Sequence, residues 1–190
     1  MNQAKAHLNE NVEYIVRDKN GKVKKLFQPW GWVNKLIKSG RLSPLHPKVW
    51  LILGHWAPAM KAPNLIVNLG AAAVAAQISG AATFPVFQYI GVGTGTASAA
   101  ATDTALTAEI LDSGLARGTA TISRVTTDVT NDTAQGVLSF SVTGTKAVTE
   151  SGFFNHIGTA TGTMLSHQVF SAINVVSGDT LQITWKIDVD

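Results

Sequence analysis

Leu181-Gln182-Ile183-Thr184-Trp185-Lys186-Ile187-Asp188-Val189 alternates apolar and polar residues without a break. Successive side chains of a strand point to opposite faces, so this stretch predicts a strand with one buried and one wet face. Val137–Thr143 has the same period, with Leu138, Phe140 and Val142 set between Ser139, Ser141 and Thr143. Phe87–Val92, Gly118–Thr127, Val148–Asn155 and Met164–Phe170 read as further strands. Turn signals at Asn131-Asp132, Gly144, Gly158–Gly162 and Ser177-Gly178-Asp179 separate them. The expected fold is therefore mainly β: an antiparallel, jelly-roll-like β-sandwich with one or more short helices and an N-terminal hairpin plus helical arm.

Upstream of the strands the pattern changes. Leu65–Ser79 is Ala-rich and predicts a helix stopped at Ser79-Gly80, with Leu65, Leu69 and Ala73, or Ala72 and Ala76, as close-packing faces. Ala105–Ile110 is expected to form one helical turn. Val12–Asp18 and Val23–Gln28 flank Asn20-Gly21, the pair favoured in two-residue hairpin turns with positive φ at both positions. Between hairpin and body lies Pro29–Pro63, rich in proline and tryptophan. Trp32, Val33, Leu36 and Ile37 share one helical face there, and Pro47 to Trp56 predicts a second short helix. Each piece carries more large apolar side chains than a short helix buries against itself.

Charge divides the chain in the same way. Residues 1–63 hold eleven Lys/Arg against three Asp/Glu, a net +8, and four of the five tryptophans. Residues 64–190 hold four bases and nine acids, a net −5, and every threonine. The expected organisation is a basic, Trp-rich hairpin and attachment arm over 1–63, with 29–63 as an insertion, and a β-sandwich body over 64–190. A content of 45% hydrophobic and 14% charged residues describes a folded chain with a neutral Thr/Ser/Ala/Gly surface suited to assembly. With no cysteine, disulfides and thiolate zinc sites are excluded. The N-terminus MNQAKAHLNENVEY lacks the apolar run of a secretory signal, and Leu65–Ile78 is too short and too polar to span a bilayer.

Patterns that carry chemistry are weak here. Gly91-Val92-Gly93-Thr94-Gly95 follows a strand but is GxGxG without a βαβ unit or a phosphate-loop lysine, so a tight inter-strand bend is the expected reading. His156 and His167, facing each other across a hairpin, are the one metal geometry the spacing permits; solvated strand histidines are the simpler reading, and no metal and no cofactor are expected. There is no GxSxG elbow, and the aspartates stand singly in turns where they cap backbone. No enzyme activity is expected.

The phrases NLIVNLG, FQYIGVGTGTASAAATDTAL, SRVTTDVTNDTAQGVLSFSVTGTKAVTESGFFN and GTMLSHQVFSAINVVSGDTLQITWKIDV, with VEYIVRDKNGKVKKLFQ before them, resemble a family of small virion proteins of tailed bacteriophages. The resemblance covers Val12–Gln28 and Asn64–Asp190; Pro29–Pro63 departs from the pattern. It implies a non-enzymatic structural protein of the virion, a capsid decoration or cement protein, with a tail, fibre or baseplate component that recognises a host as the alternative. The implied partners are the major capsid protein or neighbouring virion proteins and further copies of the chain. Trp30, Trp32, Trp50 and Trp56 are the expected anchors, and Lys35, Lys38, Arg41 and Lys48 the expected contacts to an acidic surface. Nucleic acid is the weaker reading, because the tryptophans sit in apolar helical patterns that favour packing over base stacking. A membrane-surface role and a carbohydrate-binding body are weaker still.

Overall fold

The computed structural model describes residues 8–38, 41, 53–80 and 85–189. In chain order its elements are β1 (Leu8–Arg17), β2 (Leu26–Pro29), α1 (Gly31–Lys38), β3 (Gly54–Ala57), β4 (Met60–Pro63), β5 (Leu65–Ile66), α2 (Asn68–Ser79), β6 (Tyr89–Gly93), β7 (Gly118–Thr119), β8 (Thr121–Val125), β9 (Thr133–Ser141), β10 (Lys146–Phe154), β11 (Met164–Val175) and β12 (Thr180–Val189). Two antiparallel five-stranded sheets, ordered β4-β1-β12-β9-β8 and β5-β11-β10-β6-β7, face each other, and β2-β3 form a separate ribbon. The expected antiparallel sandwich with short helices is the fold observed.

The core follows from the strand period. On β12, Leu181, Ile183, Trp185 and Ile187 are buried while the residues between them are partly wet. On β1, Val12, Tyr14 and Val16 do the same, with Val12 opposite Trp185 and Tyr14 opposite Ile183. Across the sandwich Trp185 stacks on Phe153 at 6.1 Å between ring centres, and Tyr14 lies 4.3 Å from Phe170. Full burial of each large apolar side chain contributes about 1.5–3 kcal/mol. The Tyr14 hydroxyl meets Ser151 Oγ at 2.6 Å. Burial pushes its pKa far up, so the core keeps a neutral phenol.

The second sheet departs from the expected wet outer face. All seven residues from Val148 to Phe154 are buried on β10, as is Met164–Ser171 on β11. The outer face is covered by α2 and by the irregular segment 94–117. Gly70 lets α2 lie this close, because a Cβ there would run into the Leu165 backbone. Gly80, left-handed at φ 65°, ends α2 where expected. Its start is later than expected: Leu65-Ile66 pair with β11, and the buried faces are Gly70 and Ala73, with Leu69 exposed.

Four local expectations change. The hairpin reduces to a turn closed by an Arg17–Val23 bridge; Asp18 Oδ1 accepts the amides of Asn20 and Lys22, and only Gly21 takes positive φ. The downstream arm, β2, pairs with β3 instead of β1. Gly118–Thr127 splits into β7 and β8, which belong to different sheets, because the Ala120 amide bonds to Gln88 and turns the chain across the sandwich. Ala105–Ile110 is not helical, since Thr107 and Ala108 give their amides to Glu150. Of the second helix expected from Pro47 to Trp56, residues 47–52 lie outside the described residues, and Gly54–Ala57 is strand. β1 and β4, from the basic third of the sequence, pair as strands of the sandwich itself.

Candidate functional site

The expected anchors lie on the ribbon and the helix after it. Trp30, Trp32 and Trp56 are 46%, 55% and 61% exposed, an unusual state for the most apolar-rich side chain. Strand alternation puts Phe27 and Trp56, which are paired in register with rings 6.0 Å apart, on one face of the ribbon. Gln28 and His55 take the other, where Trp30 packs on the His55 ring at 4.7 Å. Trp32 stands on α1, whose Val33 turns inward. The tryptophans therefore crown a thin ribbon on both faces and do not form one stripe.

The ribbon is tied to the sandwich by Leu26, buried in the common core, and by the side chain of Gln28. Gln28 Nε2 donates to the Lys61 carbonyl at 2.9 Å and its Oε1 accepts the Lys61 amide, so the amide group mimics a strand partner for the β4 edge. Lys25, Lys35, Arg41 and Lys61 are exposed around it. Lys38 is the last residue of α1, and Lys48 and Trp50 lie outside the described residues.

A second cluster escaped sequence reading. On the outer face of the second sheet, Glu150 is fully buried and its carboxylate accepts the amides of Gly95 at 2.9 Å, Thr107 at 3.0 Å and Ala108 at 2.7 Å. His167, 1% exposed, sets Nε2 3.1 Å from Glu150 and Nδ1 2.7 Å from Asp103 Oδ2. Burial disfavours both charges. Hydrogen bonds from His167 and the three amides nevertheless hold Glu150 below the usual glutamate range, and the two carboxylates hold His167 above the usual histidine range. With a carboxylate oxygen at each ring nitrogen, the geometry favours the charged imidazole, which can donate on both sides.

The glycine cluster belongs to the same construction. Gly93 lies on β6 beneath segment 94–109, where a Cβ would overlap the Glu150 carboxylate and the Ala108 carbonyl. The glycines of Gly91–Gly95 thus make room for a covering segment, beyond the simple bend expected. Beside them Arg117 forks onto Glu109 at 2.8 and 2.7 Å, donates to the carbonyls of His156 and Gly158 at 3.0 Å, and covers the Phe154 ring at 3.5 Å. A cleft of about 250 Å³ opens here between Thr104-Ala105 and Thr159–Gly162. The guanidinium at its floor already has its carboxylate.

Chemically this cluster pins a segment; a nucleophile beside His167 is missing from its contacts, since both ring nitrogens are taken by carboxylates. The His156–His167 juxtaposition does not form. His167 pairs opposite Gly152, whereas His156 lies beyond β10 with its Nδ1 accepting from Gly158 and from Thr161. Among the described residues no group of three His, Cys, Asp or Glu is placed to hold a metal ion, and no helix is long and apolar enough to cross a membrane. Comparison with protein-family models, with curated proteins and with solved structures finds no match.

Proposed function

We propose that this chain is a non-enzymatic structural protein of a bacteriophage virion, a capsid decoration protein that grips a neighbouring protein through the ribbon β2-β3 and α1. One observation carries the reading: Trp30, Trp32 and Trp56 are about half exposed or more, within a ring of exposed lysines and Arg41. Buried aromatics ringed by charge are the usual energetic centre of a protein interface. Exposed aromatics set among exposed lysines suit an acidic partner that closes over the outer face and tip of the ribbon, because the Leu26 and Gln28 side chains of β2 are spent on the sandwich. The sequence resemblance supplies the virion context.

The test is binding of the full chain to purified empty capsids. Trp30→Ala with Trp56→Ala is expected to weaken binding at least about a hundredfold, as hot-spot losses do, while the melting midpoint stays within a few degrees. Binding unchanged by both substitutions overturns the reading. Immuno-labelling confined to tail or fibre would favour the host-recognition alternative.

A further inference from the structure

One carboxylate pins both ends of a loop. Glu150 accepts the amide of Gly95 on one side and those of Thr107 and Ala108 on the other, and Thr149 Oγ1 donates to the Gly95 carbonyl at 2.7 Å. Residues 96–106 therefore leave and return at one point, as in an Ω-loop. Leu106, at the returning end, is buried with Val67, Phe154 and Met164 in a small core apart from the main one. From Thr96 to Ala105 no residue is fully buried, and all are Ala, Ser or Thr apart from Asp103. A stretch with so little apolar burial belongs to the least stable part of a fold.

The tip is tied down by polar bonds. Asp103 Oδ2 meets His167 Nδ1 at 2.7 Å and also accepts the Ala100 amide at 2.7 Å, and the Ala101 carbonyl accepts the Asn68 amide at 2.8 Å. The last bond serves the start of α2, because Val67 at its N-cap makes no side-chain bond. Thr104 and Ala105 form one wall of the cleft over Phe154 and Arg117. Loop tip, helix start and cleft wall thus share one fastening at Asp103.

We propose that residues 96–106 are a flap, hinged on Glu150 and latched by Asp103 on protonated His167, which lifts when the imidazole becomes neutral and widens the cleft. A neutral ring keeps one N–H. That proton stays on Nε2, against the fully buried Glu150 side chain, where an unpaired charge costs most. The Asp103 side chain is 26% exposed and is taken up by water instead. These two carboxylates are the charges that face the ring. The helix α2, β5 and the rest of β11 carry no titratable side chain, Lys146 on β10 pairs with Asp112, and Glu109 is spent on Arg117. Burial acts against the charge on His167, but the two carboxylates outweigh it and raise its pKa. The latch is therefore complete below the ordinary histidine value and opens as pH climbs through the raised one. The flap does not depend on the virion reading, because no residue of the tryptophan ribbon takes part.

Amide exchange of the full chain, followed residue by residue by NMR and corrected for the intrinsic rate at each pH, reads the opening directly. Protection at Asn68, Ala100 and Asp103 should fall at least about tenfold as the His167 ring resonances titrate, while Gly95, Thr107, Ala108 and β12 stay protected. Asp103→Ala removes the latch but leaves His167 paired with Glu150, so the melting midpoint should hold within a few degrees. In that variant Asn68 should exchange at the fast rate at every pH. The chain has no cysteine, so spin labels on Ala105→Cys and Ala160→Cys report the two walls of the cleft. Their separation should lengthen with rising pH, and should be long throughout once Asp103→Ala is added. A separation indifferent to pH, a pH dependence that survives Asp103→Ala, or loss of protection at Gly95, Thr107 and Ala108 together with the tip overturns the proposal.

Discussion

Glu150 on β10 and His167 on β11 are diagonal neighbours across one strand pair, with their ring nitrogen and carboxylate 3.1 Å apart under segment 94–109. Through this contact a buried cation holds the carboxylate whose oxygens collect three backbone amides of a segment that forms no regular ladder of its own. The stability of that cover therefore rests on two opposite charges, and several measurable consequences follow from its geometry.

Thermal stability should pass through a plateau in pH. His167 is raised, so its contribution is complete below the ordinary histidine value and is lost as pH climbs through the raised one. Glu150 is lowered, so its contribution is present above the ordinary glutamate value and is lost as pH falls through the lowered one. His167→Gln should remove the alkaline fall and lower the plateau by about 3–5 kcal/mol, because it leaves the buried Glu150 carboxylate without its charged partner. A melting profile of the variant that keeps the alkaline limb would show that another group causes it.

Gly93→Ala should destabilise by about 1–3 kcal/mol, since the added methyl overlaps groups that cannot retreat from the buried contact. Gly31→Ala, which meets open space at the start of α1, should change stability by no more than about 0.5 kcal/mol. Urea unfolding of the pair separates packing from the general effect of replacing glycine.

Arg117→Lys should cost about 2 kcal/mol despite keeping the charge. A single ammonium cannot fork onto Glu109 while also reaching the His156 and Gly158 carbonyls. Hydrogen exchange should then rise in residues 156–163 and leave β12 protected. Uniform loss of protection across both sheets would contradict a local role.

Asn64→Leu should stabilise the protein by about 1–2 kcal/mol. Asn64 is 2% exposed, and among the described residues neither its Nδ2 nor its Oδ1 has a hydrogen-bond partner. A leucine of similar shape removes that penalty where the chain crosses from β4 to β5. A lower urea midpoint in the variant would mean that the amide has a stabilising role the geometry does not reveal.

Much of the sandwich was legible because alternation is a local property: the faces of β12 and β9 follow from nearest-neighbour chemistry alone. The tryptophan-rich stretch was legible as a conflict, too many large apolar groups for two short helices, but whether the body or another chain covers them was not. The polar cluster was not, because Asp103, Glu109, Arg117, Glu150 and His167 meet only through strand register and the path of segment 94–117. A signal was present without any motif: Val148–Phe154 and Met164–Phe170 each carry one titratable residue, Glu150 and His167, among apolar and small polar neighbours, and a buried charge there demands a partner. The hairpin was misread because Asn20-Gly21 specifies a bend but not how far the flanking strands run together; β12 offers β1 a ten-residue partner that β2 does not.

By itself the sequence determined the faces of β12 and β9, turn positions and the glycine stop of α2, all encoded within a few residues of chain, and the separation of basic and acidic residues along it. Tertiary structure alone decided that β1 and β4 join the sandwich, that segment 94–117 and α2 dry the outer face of one sheet, and that Glu150, His167 and Asp103 share a site. Those outcomes depend on which surfaces meet between segments distant in the chain, where burial changes both the cost of a charge and the partners available to offset it.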